Sequence, residues 1–142
     1  MHVLIADDDR NASARLEMHL RACGHTVTTV ADGRAALRAV RRNPRIDAAV
    51  LNWLMPGMDG WRVARRIKAS VARPVRTIVL VGGAFREDVR RHLAGCADVC
   101  LAKEGHPRGL EAGLLAATRR LARMEVVSVA YPPRLGGCPP LN

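Results

Sequence analysis

Several short apolar runs of this chain end in polar side chains that could take part in chemistry. Asp7 and Asp8 follow the first run, Asn52 follows the third, and Lys103 follows the last. If the runs are parallel strands, their carboxyl ends share one edge of a sheet, and these side chains converge on one pocket. Carboxylate oxygens are ligands that Mg²⁺ prefers. Asn52 is not a competent nucleophile, because its amide nitrogen lone pair is delocalised and its oxygen is uncharged.

The alternation of short apolar runs with longer stretches of helical period predicts βα units and a parallel sheet. The predicted strands are Val3–Ala6, Thr26–Val30, Ala48–Leu51, Thr77–Val81 and Val99–Ala102. Apolar residues at a spacing of three to four predict five helices. The first helix is closed by Gly24, and the second covers residues 35–42. The third has Val63 and Ile67 on its inner face, the short fourth covers residues 87–94, and the last covers residues 110–121. The predicted fold class is α/β: a flavodoxin-like (βα)5, doubly wound, five-stranded parallel sheet in the order 2-1-3-4-5.

Acidic residues near two predicted helix starts have a structural explanation. Asp8 or Asp9 is expected to cap the first helix, and Asp59 is expected to cap the third. The preceding Pro56 and Gly57 shape a loop and carry no reactive group.

The length of 142 residues suits one domain, which we place at residues 1–124. Residues 125–142 end in a stretch dominated by proline and glycine, and we expect a poorly ordered tail or linker there. Aromatic residues make up only 3% of the chain, so the core must consist of Val, Leu, Ile and Ala. No apolar run approaches the roughly 18–20 residues of a membrane helix. This pattern favours a cytoplasmic protein without a membrane partner.

The net charge of +10 comes almost wholly from arginine, because Lys68 and Lys103 are the only lysines. Such a balance attracts nucleic acids and acidic proteins. Arginine- and alanine-rich usage is also what a biased genome composition produces. No basic stretch is interleaved with aromatic side chains that could stack on bases.

The four cysteines show neither CxxC spacing nor a partnering histidine pattern. They are Cys23, Cys96, Cys100 and Cys138. We expect them to be reduced and to behave as small buried apolar side chains. Cys138 lies in the proline- and glycine-rich tail and is expected to be the most exposed.

Three motifs together resemble one known family. They are Ile5-Ala6-Asp7-Asp8, the loop Met55-Pro56-Gly57-Met58-Asp59-Gly60, and Ala102-Lys103. At these spacings, residues 2–124 closely resemble the receiver domain of a two-component response regulator. The resemblance implies a phosphorylation pocket in which Asp7 and Asp8 hold Mg²⁺, together with the carbonyl oxygen of Leu54. It also implies that Lys103 holds a phosphoryl oxygen.

The departures from the family pattern are as informative as the matches. Asn52 stands where the family has the aspartate that accepts the phosphoryl group. Val81 replaces the expected Ser or Thr hydroxyl, and Cys100 replaces the switch aromatic three residues before Lys103. Loss of all three as a set favours a natural degenerate receiver, or pseudo-receiver. The alternative is a conventional phosphoacceptor captured as an Asp-to-Asn variant, which leaves Val81 and Cys100 unexplained.

A receiver without a phosphoacceptor is expected to act by protein contact and not as an enzyme. In the family, the face made by helix four, strand five and helix five pairs domains or docks effectors. In this chain that face carries Arg86, Arg90, Arg91, Arg119 and Arg120. It would suit a sensor kinase, another regulator, an effector or a second copy of the chain.

Two other interpretations of the arginines stay open. One is a solvated basic surface, and the other is a nucleic-acid-binding regulator, whose affinity would fall steeply with salt. The only expected cofactor is Mg²⁺. Its binding is expected to be weak, because one carboxylate of the pocket is missing.

Overall fold

Five strands rich in β-branched and small apolar residues form the centre of the fold. They are β1 (His2–Ala6), β2 (Thr26–Val30), β3 (Ile46–Asn52), β4 (Arg76–Val81) and β5 (Val99–Ala102). The helices are α1 (Arg10–Ala22), α2 (Gly33–Arg42) and α3 (Gly60–Ser70). The computed structural model describes residues 1–82, 91, 95–103, 109 and 112–113. All strand pairs are parallel, and their order β2-β1-β3-β4-β5 confirms the predicted sheet.

The predicted elements differ from the observed ones mainly at their ends. β2 and β5 have the predicted bounds, whereas β3 is longer and includes Asn52. α2 begins at Gly33, because the Oδ1 atom of Asp32 accepts the backbone N–H of Ala35 at 2.7 Å and caps the helix there. The predicted helices over 87–94 and 110–121 and the predicted domain end at 124 lie largely outside the described residues. Within the described ranges, no helix has the length and apolar content to cross a membrane.

Different helices cover the two faces of the sheet. Leu4 of β1 belongs to an apolar cluster with Leu37 of α2 and Ile67 of α3. Val3, its neighbour in sequence, belongs to a second cluster with Leu16 of α1. Because successive side chains of a strand point to opposite faces, β1 is buried on both sides. The residues that follow β1 are therefore positioned by an interior strand that is buried on both faces.

The carboxylate of Asp9 fixes the start of α1. Its Oδ1 atom accepts the backbone N–H groups of Asn11 at 2.9 Å and Ala12 at 3.1 Å, which confirms the expected cap. The hydrogen bonds from Ala12 and then Asn11 lower the pKa of Asp9 below its ordinary value of 3.8. The charged cap therefore stabilises the fold above that ordinary value. This contribution is lost as the pH falls through the lowered pKa.

Asp59 occupies the N-cap position of α3 but does not cap it through its side chain. No capping hydrogen bond is formed by this carboxylate. Its Oδ2 atom instead lies 3.8 Å from Nε of Arg62. The prediction of a cap was right about the position and wrong about the interaction, because the side chain turns towards the arginine.

The cysteines are less buried than predicted. Among the described residues, Cys23, Cys96 and Cys100 form no disulfide bond, and Cys23 is exposed while the other two are partly buried. Cys23 is the C-cap residue of α1, just before Gly24 turns the chain with a φ of 83°. Burial of Cys23 was therefore a wrong prediction, because the helix ends at the surface. Cys138 lies outside the described residues.

Arg73 joins the end of α2 to the start of β3. Its guanidinium donates to the carbonyl oxygens of Ile46, Val40 and Asn43, the last two at 2.9 Å. Carbonyl groups at the C-terminal end of a helix have no donor within the helix. A planar guanidinium with several N–H groups can satisfy a set of such acceptors at once. Arg73 therefore acts as a clamp at the edge of the sheet opposite to Asn52.

We expect Arg73→Lys to lower the free energy of unfolding by about 1–3 kcal/mol, because a partly buried acceptor without a donor costs about that much. Urea unfolding followed by circular dichroism measures the change. Arg45→Lys, at an exposed position, is the matched control and should change stability by less than about 0.5 kcal/mol. Equal effects of the two substitutions would contradict the role of the guanidinium fork.

Candidate functional site

Hydrogen bonds between strands bring three polar side chains to one edge of the sheet. The backbone N–H of Asp7 donates to the carbonyl oxygen of Val30 at 3.1 Å, and that of Lys103 to Val81 at 2.9 Å. Asn52 is the last residue of β3, which pairs with β1 on one side and β4 on the other. The ends of these strands therefore share one edge. Asp7 and Asn52 are both buried there, with exposed fractions of 5% and 9%.

The amide nitrogen of Asn52 lies at the centre of this pocket. Nδ2 donates to Oδ1 of Asp8 at 2.9 Å, to Oδ1 of Asp7 at 3.2 Å, and to the carbonyl oxygen of Leu54 at 2.9 Å. The three acceptors share two amide hydrogens. A single neutral group thus joins both carboxylates to the loop that follows β3.

The neighbours of Asn52 dictate which way its amide points. Two carboxylates and a carbonyl offer only acceptors, so the NH₂ group must face them. In the opposite orientation the amide oxygen would face three other oxygens with no hydrogen between them. An oxygen cluster of that kind requires a cation. The observed orientation satisfies the pocket through hydrogen bonds within the chain.

Asp7 is the most heavily hydrogen-bonded carboxylate of the site. Nζ of Lys103 lies 3.0 Å from its Oδ2 and 3.1 Å from its Oδ1. The backbone N–H of Asp9 also donates to Oδ1 at 3.0 Å. With the amide of Asn52, three different groups therefore compensate this buried charge. Asp8 is exposed, so water can solvate its carboxylate.

The loop after β3 is shaped by a close approach between backbone segments. The N–H of Gly60 donates to the carbonyl oxygen of Trp53 at 3.0 Å. A Cβ atom on Gly60 would lie 2.1 Å from the carbonyl oxygen of Asn52, so only glycine fits at this position. The loop thereby turns the carbonyl group of Leu54 into the pocket, while the Leu54 side chain stays 64% exposed.

Val81 and Cys100, the two predicted switch positions, carry an apolar and a weakly polar side chain. Val81 is buried with an exposed fraction of 3% and belongs to the same apolar cluster as α2 and α3. Cys100 is partly buried and packs against that cluster. Neither position offers a hydroxyl group to the pocket. At the described end of β4, Val81 and Gly82 carry no hydroxyl group.

The predicted docking arginines are only partly described. Arg91 is exposed and helical. Arg86, Arg90, Arg119 and Arg120 lie outside the described residues, so they stay a prediction.

A model of the response regulator receiver domain matches residues 3–114. The chain belongs to this family. It is a receiver domain of two-component signalling, and the matched span includes the whole pocket. Among the described residues, no three His, Cys, Asp or Glu side chains are grouped to hold a metal ion.

Individual relatives agree with the family. The transcriptional regulatory protein AfsQ1 of Streptomyces coelicolor is 36% identical over 129 residues, which cover 91% of this chain and 56% of that protein. The transcriptional regulatory protein TcrA of Mycobacterium tuberculosis is 37% identical over 120 residues, covering 84% and 47%. This receiver domain thus spans about half the length of these relatives.

Solved structures show the same fold. A Francisella response regulator receiver domain superposes with a TM-score of 0.74 at 22% identity, covering 83% of this chain and 97% of that one. A receiver domain protein from Clostridium thermocellum gives 0.75 at 22% identity, covering 84% and 94%. At this identity the likeness supports the fold alone.

Reasoning from the sequence found the pocket residues but missed how they bond to one another. Asp7, Asp8, Asn52, the Leu54 carbonyl group and Lys103 are brought together. The backbone donor of Asp9 had no sequence signal apart from following two aspartates. The three-way donation by the amide could not be read from spacing, because it depends on the turn imposed by Gly60.

We expect Asn52→Asp to destabilise the metal-free receiver domain, since it replaces a donor with a third carboxylate. Like charges about 4 Å apart repel by up to about 4 kcal/mol at an effective dielectric of 20, and we expect a loss of about 2–4 kcal/mol. Urea unfolding with EDTA, and then with millimolar Mg²⁺, measures the loss and its partial recovery.

Asn11→Asp is the matched control, because it adds the same charge in the exposed first turn of α1. An acidic residue is favourable near a helix N-terminus, so this variant should not lose stability. A metal-free Asn52→Asp variant as stable as the parent would contradict the importance of the amide donor.

Proposed function

We propose that this receiver domain signals without phosphorylation, by contact with another protein of a two-component pathway. The observation that supports this is the donation from Asn52 to Asp7, Asp8 and the Leu54 carbonyl group. The residue at the proposed phosphoacceptor position is therefore a hydrogen-bond donor. The family reaction needs an anionic nucleophile there, and an amide is not one.

The residues next to Asn52 do not replace the missing nucleophile. Leu51 and Trp53 carry neither a hydroxyl group nor a carboxylate. Val81 provides no hydroxyl that could bind a phosphoryl oxygen or respond to its arrival. Both the reaction and the response to it thus lack a chemical basis at these positions.

A natural loss of function explains these substitutions better than a single exchange. An Asp-to-Asn variant of a conventional receiver would keep the hydroxyl at position 81 and the aromatic at position 100. In this chain, Val81 is integrated in an apolar cluster, and Cys100 packs at its edge. The surroundings of Asn52 are therefore adapted to an inactive pocket, which favours a pseudo-receiver.

The proposed partner is a sensor kinase, another regulator or an effector in the cytoplasm. The exposed Arg91 supports a basic docking surface around helix four, strand five and helix five. A homodimer through that surface is a second form of the same proposal. A pull-down with this surface intact and with its arginines reversed to glutamate distinguishes both from an inert basic surface.

We expect no phosphorylation of this chain by acetyl phosphate and no shift of its amide NMR spectrum with beryllofluoride and Mg²⁺. We also expect none for Asn52→Asp alone, because Val81 still lacks the hydroxyl. Intact-protein mass spectrometry detects the phosphoryl group. Asn52→Asp combined with Val81→Thr is the matched gain-of-function variant.

The outcomes separate the pseudo-receiver from its alternative. Full phosphorylation and a full spectral response by Asn52→Asp alone would support a conventional receiver captured as an Asp-to-Asn variant. Phosphorylation of the unchanged chain would overturn the proposal altogether.

The oxygens of the pocket fit Mg²⁺ by their chemistry but not by their present hydrogen bonding. Asp7, Asp8 and the Leu54 carbonyl group are hard oxygen donors of the kind that Mg²⁺ takes. When bound, Mg²⁺ would neutralise the two carboxylates. The amide nitrogen of Asn52 already donates to all three oxygens, so a cation must displace these hydrogen bonds. We therefore propose weak Mg²⁺ binding.

We expect isothermal titration calorimetry to give a millimolar dissociation constant for Mg²⁺. Asn52→Asp should bind roughly tenfold more tightly or better, because it restores a carboxylate ligand. Asn11→Asp carries the same added charge away from the pocket and should bind no more tightly than the parent. A low-micromolar dissociation constant for the unchanged chain would refute this expectation.

A further inference from the structure

Helices α2 and α3 lie side by side and carry a concentration of positive charge. Their buried side chains share one apolar cluster. Near their C-terminal ends, Nη2 of Arg41 donates to Oγ of Ser70 at 3.0 Å. α2 contains four arginines, α3 contains three arginines and one lysine, and neither contains an acidic residue. All of these basic residues are exposed.

Few of these charges are compensated. Nε of Arg62 lies 3.8 Å from a carboxylate oxygen of Asp59, and Nζ of Lys68 lies 2.9 Å from one of Asp98. The other arginines of α2 and α3 have no carboxylate at ion-pair distance in the part of the chain that the structure describes. Like charges that are spread over one surface in this way sum to a positive potential of several kT.

The described part of the opposite face of the sheet is less basic. It is covered by α1, whose arginines are Arg10, Arg15 and Arg21. Arg21 is paired with Glu17 of the same helix at 2.7 Å. Among the described helices, α2 and α3 each carry a larger excess of basic over acidic residues than α1.

We propose that the α2–α3 face binds the phosphate backbone of double-stranded nucleic acid. Phosphate contacts by arginine release condensed counterions, and this release supplies the affinity without any sequence-specific contact. Arg38 and Arg65 are exposed, and about 100° of helix rotation separates them from the buried residues Leu37 and Ala64 that precede them. They therefore face solvent from two neighbouring helices, where one extended ligand could contact both.

The composition of this face favours a nucleic acid over an acidic protein. Protein interfaces are centred on buried apolar or aromatic anchors. The exposed large apolar residues of the described chain are Met1, Met18 and Leu54, and none of them belongs to α2 or α3. Phosphate binding needs charge alone, because protein–DNA interfaces are polar and strongly positive.

A duplex fits this face better than a single strand. Single-strand binding relies on exposed aromatic side chains on which bases stack. Trp61 is the sole aromatic residue of α2 and α3, and it is partly buried. The guanidinium of Arg62 also covers its ring, at 5.1 Å from the ring centroid. The helices therefore offer charges for a backbone but no stacking platform.

This binding does not depend on the phosphorylation pocket. In βαβ units the helices run antiparallel to the strands, so the C-terminal ends of α2 and α3 lie at the edge opposite to Asn52. The duplex would thus contact a surface that extends away from the pocket. The proposal stands whether or not the receiver domain accepts a phosphoryl group.

The test is fluorescence anisotropy with a labelled DNA duplex over a series of salt concentrations. The double variant Arg38→Gln/Arg65→Gln removes one charge from each helix. Arg10→Gln/Arg15→Gln on α1 is the control with the same loss of net charge. Each phosphate contact contributes about 0.9 to the slope of log K against log salt, so the α2–α3 variant should lower the slope by about 2. Circular dichroism checks that both variants fold.

Preferential loss of duplex binding by the α2–α3 variant supports the proposal. Equal loss by both variants would show that net charge alone attracts the duplex, and it would overturn the assignment of a face. Absence of duplex binding at low salt would also overturn it. A parallel titration with polyglutamate covers the other class of partner. If the α2–α3 variant loses polyglutamate binding but keeps duplex binding, the face is a docking site for acidic protein and the proposal fails.

Discussion

The pocket of this receiver domain depends on one amide group that satisfies three oxygen acceptors. Two neighbouring carboxylates repel each other, and Asp7 is buried, so each needs donors or a cation close by. Asn52 donates hydrogen bonds to Asp7, to Asp8 and to the Leu54 carbonyl group, and Lys103 forms an ion pair with Asp7. The amide that joins the two carboxylates provides part of the compensation that a cation would otherwise give them.

Most of the fold could be predicted because strand and helix signals were strong and separate. β2 is a run of β-branched residues between Gly24-His25 and an acidic turn, and its bounds were read correctly. The start of α2 was missed because glycine normally opposes helix formation. At Gly33 the missing Cβ has a tertiary reason, since it would lie 2.0 Å from the carbonyl oxygen of Met58. Contacts of this kind between distant segments leave no periodic pattern in the sequence.

The site residues could be predicted from strand ends, whereas their bonding could not. Which way an amide faces depends on acceptors from three segments, and spacing does not report that. The distribution of charge shows the same limit. The arginines were counted correctly, but the sequence drew attention to helices four and five. The concentration on α2 and α3 emerges only when the two helices are placed side by side over a common apolar cluster.

The ion pair between Lys103 and Asp7 links strands that are not neighbours in the sheet. β1 and β5 are separated by β3 and β4, and the two residues are 96 positions apart in sequence. A contact this distant along the chain adds loop-closure entropy to the cost of folding and raises the contact order, which slows folding. During synthesis on the ribosome, Asp7 emerges long before Lys103. Asp7 therefore lacks the Lys103 counterion until β5 joins the sheet, and the pocket closes only when the sheet is complete.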